Sequence, residues 1–319
     1  MTDLSQEQPQ PVLKPRSRWS EFWRSDFIYA FRHSPVAIAS FSVVTLLVLC
    51  AIFAPLIASH DPFNPATLNL MNGFTAPSTP NAFTGDTFWL GTDDQGRDVF
   101  STILYGMRIS LFVGGAAVMF ALVLGVTLGL LAGYVGGWVE TLIMRVADVQ
   151  LTFPAILVAM LIFGVAKGFT PIEHRDQMAI WVLIIAIGLS DWVQFARVVR
   201  GATLVEKNKE YVQAARMIGR TGPAIMLRHV LPNILSPVLV IATISLALAI
   251  IAEATLSFLG VGAPPTQPSL GTLIRIGQGF LFSGEWWILF FPAVTLLALA
   301  LSVNLLGDWL RDALNPRLR

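Results

Sequence analysis

Few side chains in this sequence could make or break bonds, and those few are scattered. His33, His60, His174 and His229 lie in loops or near the ends of apolar runs and form no ligand cluster. The single cysteine, Cys50, sits inside an apolar run, and one thiol builds neither an internal disulfide nor a zinc site of ordinary spacing. The patterns GxxxxGK[ST], HExxH and GxSxG are absent. A phosphate loop, a zinc-protease helix and a nucleophile elbow therefore have no residues to build them. An intramembrane hydrolase would have to draw on Ser190-Asp191 and Glu253, with no histidine at their depth. Glu253 is the one clear acid within an apolar run, and an ionisable residue there is a functional candidate. The alternative is an acid near the outer end of its span, half solvated or bonded to neighbouring helices. No cofactor is expected.

The chemistry that remains is recognition, and it concentrates in residues 210–233, EYVQAARMIGRTGPAIMLRHVLPN. This is the longest polar, helix-forming interruption of an apolar chain. Residues 210–218, which include Tyr211, hold the good helix formers Gln213, Ala214, Ala215, Arg216 and Met217. Gly219 suits a left-handed C-terminal cap. Gly222-Pro223 marks a turn and Pro223 suits the first turn of a second short helix over 224–230, which runs into Leu231 and Pro232. The reading is helix, glycine turn, helix, carrying Arg216, Arg220, Arg228 and His229 against the single acid Glu210. A short basic hairpin between two apolar spans is a docking element for another protein.

The elements that must position this hairpin follow from composition. Apolar residues make up 55% of the 319 residues and charged residues 13%, against about a quarter charged in soluble domains. The apolar residues are bunched in runs of the length, about 20 residues, that crosses a hydrocarbon core. The expected fold class is an all-α polytopic membrane protein with six transmembrane helices, at about 36–58, 109–132, 138–165 (with Pro154 inside), 178–198, 234–259 and 286–306. The N-terminus lacks the features of a cleavable signal peptide. Residues 1–18 read as disordered. Trp19, Trp23, Phe27 and Phe31 recur every fourth residue, which favours an amphipathic surface helix separated from the first span by Pro35, over a plain extension of that span. Residues 60–98 read as an exposed loop. Thr92 or Asp93 is expected to cap a helix that starts near Gly96 and lies across the mouth of the bundle. Gly91, Thr92, Asp93, Gly96, Arg97, Asp98 and Arg108 are expected to shape that mouth, or Asp94, Arg97, Asp98 and Arg108 form a local salt-bridge cluster that fixes the loop. Gly125, Gly129, Gly133 and Gly137 form a ridge that favours internal helix packing over subunit dimerisation, and Gly136-Gly137 makes a turn. The organisation is thus an N-terminal arm (1–35), a first span (36–58), an extracytoplasmic loop (59–108) and a core (109–319) that contains five spans and the hairpin at about 199–232.

Sixteen lysines and arginines fall on the side of the termini and hairpin, five on the other. The excess predicts cytoplasmic termini and a cytoplasmic hairpin. A net charge of +1 offers nothing to nucleic acid.

The hairpin resembles the coupling segment of binding-protein-dependent ABC importer permeases, whose pattern is Glu-Ala-Ala, three residues, glycine, nine residues, isoleucine, one residue, Leu-Pro. The matching positions are Gln213, Ala214, Ala215, Gly219, His229, Leu231 and Pro232. Gln213 replaces the acid, and His229 replaces the isoleucine, as is usual in the peptide-permease branch. LGTDDQGRDVFSTILYGMRISL (90–111), FPAILVAM (153–160), EATLSFLGVG (253–262) and GDWLRDALNPR (307–317) also resemble the dipeptide, oligopeptide and nickel branch, second (C-type) subunit. Asn315 stands where the last motif usually has aspartate. The likeness runs from about residue 36 to the C-terminus.

That resemblance implies a type I (MetI-like) permease in the bacterial inner membrane, itself not an enzyme. It would pair with a homologous permease, two cytoplasmic ATPases and a periplasmic or surface-tethered binding protein. The helix around Gln213–Gly219 would seat in a groove of the ATPase, with Ala214 and Ala215 small for close approach and Arg216 and Arg220 facing acids. Substrates would be di- or oligopeptides, with nickel, glutathione, opines or peptide antibiotics as alternatives. An ion-coupled secondary transporter is the reading from another class. It would more typically show internal repeats with broken helices, and no convincing halves are visible.

Overall fold

A computed structural model describes residues 26–59, 61–64 and 68–313. Trp19, Trp23, His60, Asn315 and Arg317 lie outside them. Apart from two isolated bridges, the regular structure of the described residues is helical.

Helix α1 (Asp26–Arg32) is separated from α2 (Pro35–Ile52) at Ser34. The Ser34 hydroxyl accepts from the Ala37 amide at 3.3 Å and Pro35 takes the first position, where its missing N–H costs nothing. Phe31 packs edge-on against Phe41 (5.6 Å) and Trp309 (5.3 Å), which puts the N-terminal arm beside the end of the last helix. A short α3 (Ala54–Ile57) follows.

Helix α4 (Val99–Val135) corrects the expectation for the outer segment. It is one helix of 37 residues, about 55 Å at 1.5 Å per residue, and it carries the boundary drawn at 108/109 in its interior. No separate helix starts near Gly96. Asp98 caps α4, accepting from the amides of Phe100 (3.2 Å) and Ser101 (3.1 Å), and Thr92 and Asp93 serve the loop before it instead.

The third span is also corrected. It is broken into α5 (Gly137–Leu151) and α6 (Ala155–Phe169), set at 98° to each other. Pro154 has no amide to continue the ladder, and α5 closes with tight bonds from Thr152 N to Val149 O and from Phe153 N to Gln150 O. Helix α7 (Arg175–Glu206) leads to α8 (Glu210–Met217). The second arm of the hairpin is not a separate short helix: α9 (Gly222–Ile225) runs through a π stretch, Met226–Val230, directly into α10 (Leu231–Phe258). The widened turn lets Pro232 enter without opposing a carbonyl four residues back. Helices α11 (Leu270–Gln278) and α12 (Trp287–Ala313) complete the described residues. Among the described residues five helices are long and apolar enough to cross a membrane, and the bent α5–α6 pair makes a sixth if it counts as one span.

The core is built around α4 and α7, the most extensively packed pair. Its cause is the glycine ridge. A Cβ at Gly129 would sit 2.6 Å from the Ala196 carbonyl, one at Gly133 2.7 Å from Thr203 Cβ, and one at Gly125 2.5 Å from Phe195 Cβ. Internal packing is therefore the ridge's use. Gly137 does not belong to it: nothing lies within 4 Å of its Cβ position, and with φ +57 it forms the turn with Gly136. Helix α5 is tied to α7 by Arg197–Asp148 (2.6 Å) and by Arg200 Nε to Glu140 (2.7 Å). Gln150 donates to the carbonyls of Leu189 and Ser190 and accepts from Trp192 Nε1.

Alternating helix directions leave α1, the hairpin and the end of α12 at one end of the bundle. The loops before α4 and after α10 share the other end, where Trp287 Nε1 donates to the Thr92 carbonyl at 3.0 Å.

Candidate functional site

The hairpin is held to the bundle before it offers any surface. Past the end of α7, Lys207 Nζ donates 2.7 Å to the Gly133 carbonyl, a cation on the free carbonyls at the C-terminus of α4. Helix α8 then turns Val212 and Ala215 inward, three residues apart on one face. Both join the cluster that includes Ile225, Val230 and Ile234. The Gly219 cap is a full Schellman closure: Arg220 N bonds Ala215 O (3.1 Å), Gly219 N bonds Arg216 O (3.0 Å), and Gly219 has φ +76.

A polar knot fixes the angle between the arms. The Tyr211 hydroxyl donates to Glu206 Oε1, a carboxylate that also pairs with Lys209 (2.8 Å). Asn233 Nδ2 donates to Tyr211 Oη (3.1 Å) and to the His229 carbonyl (2.6 Å). Desolvation first, then the Glu206 carboxylate, pushes the Tyr211 phenol up to about 12. His229 thus enters through its backbone. Leu231 packs against the core and Pro232 is exposed at the start of α10.

One expectation for this surface changes. Ala215 is 4% exposed and belongs to the chain's own core, so it cannot itself face a partner. Arg216 is exposed, with its guanidinium 5.2 Å from the Tyr134 ring. Gln213 and Ala214 are exposed, together with Met217 (88%) and Ile218 (76%). Arg220 and Arg228 are exposed and form no ion pair among the described residues. The outward surface is therefore an apolar tip beside free cations. Glu206, Ile218 and Asn233 were not singled out from sequence, and Met217 figured there only as a helix former. The polar pair looks ordinary until the fold brings residues 206, 211, 229 and 233 together.

The loop at the opposite end is largely exposed, as expected, over its described residues up to Leu90, but its last stretch, 91–98, is mostly buried. Asp93 and Arg97 form a buried pair, Oδ2 to Nε 2.6 Å, and Asp93 Oδ1 accepts from the amides of Gln95 and Arg97 (both 2.9 Å). Burial raises the Asp93 carboxyl against the opposing pull of Arg97. Thr92 Oγ1 donates to the Asn72 carbonyl and accepts from the Thr75 amide (2.8 Å). Asp98 also accepts from Ser101 Oγ (2.6 Å) and Ser59 Oγ (3.3 Å). Gly91 (φ +79) lies against Trp287, and Gly96 (φ +73) forms the loop's turn. Of the four charged residues weighed as a cluster, Asp93's partner Arg97 is paired and Asp98 is a cap. Arg108 is exposed on α4, and Asp94 makes no ion pair among the described residues.

Glu253 is 0% exposed and accepts from Ser257 Oγ at 2.7 Å. Ser257 Oγ also accepts from the Ala263 amide (3.0 Å), and Ser110 and Ser269 stand beside the same carboxyl. The acid is buried and bonded within its own helix rather than half solvated, with its Oε2 unpartnered among the described residues.

Comparison with known proteins sets this geometry in context. Residues 125–319 match the family described as binding-protein-dependent transport system inner membrane component, and residues 17–77 match the N-terminal TM domain of oligopeptide transport permease C. The chain is 37% identical to the dipeptide transport system permease protein DppC of Alkalihalophilus pseudofirmus, over 93% of this chain and 90% of that protein. It is 36% identical to the oligopeptide transport system permease protein OppC of Bacillus subtilis, with the same two coverages. It is 39% identical to the glutathione transport system permease protein GsiD of an Escherichia coli strain, over 97% of this chain and 95% of that protein.

Proposed function

Since this chain belongs to the family of binding-protein-dependent transport system inner membrane components, we propose that it is one permease subunit of an ATP-driven importer of di- and oligopeptides. It pairs with a homologous permease to enclose the pathway, and it receives force from two cytoplasmic ATPases and substrate from a binding protein. The relatives named for glutathione fall within the same chemistry, because glutathione is itself a short peptide.

The observation that carries this reading is the hairpin. It is rigid where it meets the bundle, through the Glu206–Tyr211–Asn233 knot and the buried Val212 and Ala215. It is apolar and cationic where it faces out, through Met217, Ile218, Arg220 and Arg228. Such an element passes a push to α7 and α10 together, the two helices it joins. Gln213 and Ala214 meet the ATPase directly. Ala215, Gly219, Tyr211, Leu231 and Pro232 hold the shape. Arg216 sets the helix against Tyr134, and His229 closes the knot by its carbonyl. The ordered loop from Gly91 to Asp98, with Arg108 behind it, forms the opposite mouth where the binding protein delivers substrate.

The experiment is reconstitution in proteoliposomes with the partner permease, ATPases and binding protein. Labelled dipeptide should accumulate only with ATP and with all components present. Uptake by this chain alone, or uptake driven by an ion gradient, would overturn the proposal.

A further inference from the structure

At the end of the bundle opposite the termini, a cleft of about 110 Å³ opens between the end of α6, the start of α7 and the loop that follows α10. Three cations line it, Lys167, Arg175 and Arg275, against one acid, Asp176. None of the three forms an ion pair among the described residues. Arg175 is held by backbone, and Arg275 packs over a glycine. Arg175 Nε donates to the Thr170 carbonyl at 3.2 Å, which leaves the other guanidinium nitrogens free. Arg275 lies against Gly260, which has φ +81 and where a Cβ would come within 2.6 Å of Nη1. Gly260 is itself fixed by a Schellman closure at the end of α10, Val261 N to Leu256 O at 2.9 Å. The remaining wall is apolar, with Phe163 and Pro264. Three cations against one acid leave a net positive charge that repels itself, and an anion relieves that repulsion. The size decides how much of a ligand enters. Sites that swallow a whole small molecule measure roughly 300–1,000 Å³, so this cleft accepts one end of a ligand.

We propose that this cleft binds the free C-terminal carboxylate of a short peptide, with the terminal side chain against the apolar wall. The inference rests on the reading of the chain as a short-peptide permease and adds a carboxylate subsite to it. Guanidinium groups grip a carboxylate through paired, charge-assisted hydrogen bonds, and Lys167 adds a mobile cation.

The test uses the transporter assembled with its partner permease and ATPases in nanodiscs. Saturation-transfer NMR titrations compare alanyl-phenylalanine with its C-terminal amide. The wild type should bind the acid about tenfold more tightly than the amide, the scale of one charge-assisted hydrogen bond. In the triple variant Lys167→Gln, Arg175→Gln, Arg275→Gln the acid should fall to the level of the amide, while Lys167→Arg, Arg175→Lys, Arg275→Lys should keep the gap. Equal binding of acid and amide by the wild type would overturn the proposal, as would a gap that survives the glutamine variant. So would a glutamine variant that keeps the gap but loses stimulation of ATP hydrolysis by the binding protein, which would make the cleft a protein-docking surface. Wild-type uptake of the dipeptide is measured separately. A transporter that imports the dipeptide without an acid–amide gap refutes this subsite alone, whereas one that imports no peptide refutes the transport reading.

Discussion

Ala214 and Ala215 are adjacent and chemically identical, yet only Ala214 can meet a partner. Ala215 sits in the core beside Val212 and Ile225, and Ala214 faces out. Ala215→Glu would place an unpaired carboxylate in that core, at a cost of several kcal/mol, and should lower the melting temperature of the purified chain markedly. Ala214→Glu should leave stability within about 0.5 kcal/mol and instead reduce co-purification with the ATPase. An ATPase that stays bound to Ala214→Glu would remove this face from the docking surface. At Tyr211 the folded phenol titrates near 12, against an ordinary value of 10.0. The folded state therefore favours the neutral phenol. The stability this contributes is complete below pH 10 and is lost as pH rises from 10 towards 12. Alkaline absorbance titration should show one phenol that ionises late in the wild type and is absent from Tyr211→Phe.

The hairpin's two turns and the glycine ridge respond to substitution for different reasons. Gly219 has φ +76 with nothing within 4 Å of its Cβ position. Gly219→Ala should therefore cost only the left-handed strain, about 1–2 kcal/mol, and leave the bundle intact. Gly129→Val is a packing change, because its side chain would meet Ala196 and Val199 across the α4–α7 contact. It should destabilise by about 1–3 kcal/mol and push the helices apart. Thermal unfolding together with cross-linking between α4 and α7 distinguishes the two. Cross-links unchanged in Gly129→Val would show that the ridge does not set the helix separation.

For the molecule as a whole, the charge asymmetry and the fold make one joint prediction. Met217 and Phe83 lie at opposite ends of the bundle and are both exposed (88% and 78%). In sealed cells, Met217→Cys should react with a membrane-impermeant maleimide only after permeabilisation, and Phe83→Cys should react at once. The reverse pattern would place the hairpin outside and end its role as a receiver of force from cytoplasmic ATPases.

Much of this was written in local sequence. Long apolar runs define the helical membrane class because an unpaired backbone is intolerable in lipid. Gly219, Gly136 and Ser34-Pro35 mark their turns and caps through conformational preferences that belong to single residues. The glycine period exposed the packing ridge, although it carried one residue too far, to Gly137. What local sequence left undecided depends on meetings between distant segments. The 98° break at Pro154 is held by Gln150 on Leu189, Ser190 and Trp192, and a proline alone does not reveal whether its helix kinks or snaps. The Tyr211 knot joins residues from 206 to 233, and Ala215 turns inward only because α4 and α10 supply a core for it. Which of two neighbouring alanines is free, and which charges pair, was decided by the tertiary fold, because burial is a property of what surrounds a residue and not of the residue itself.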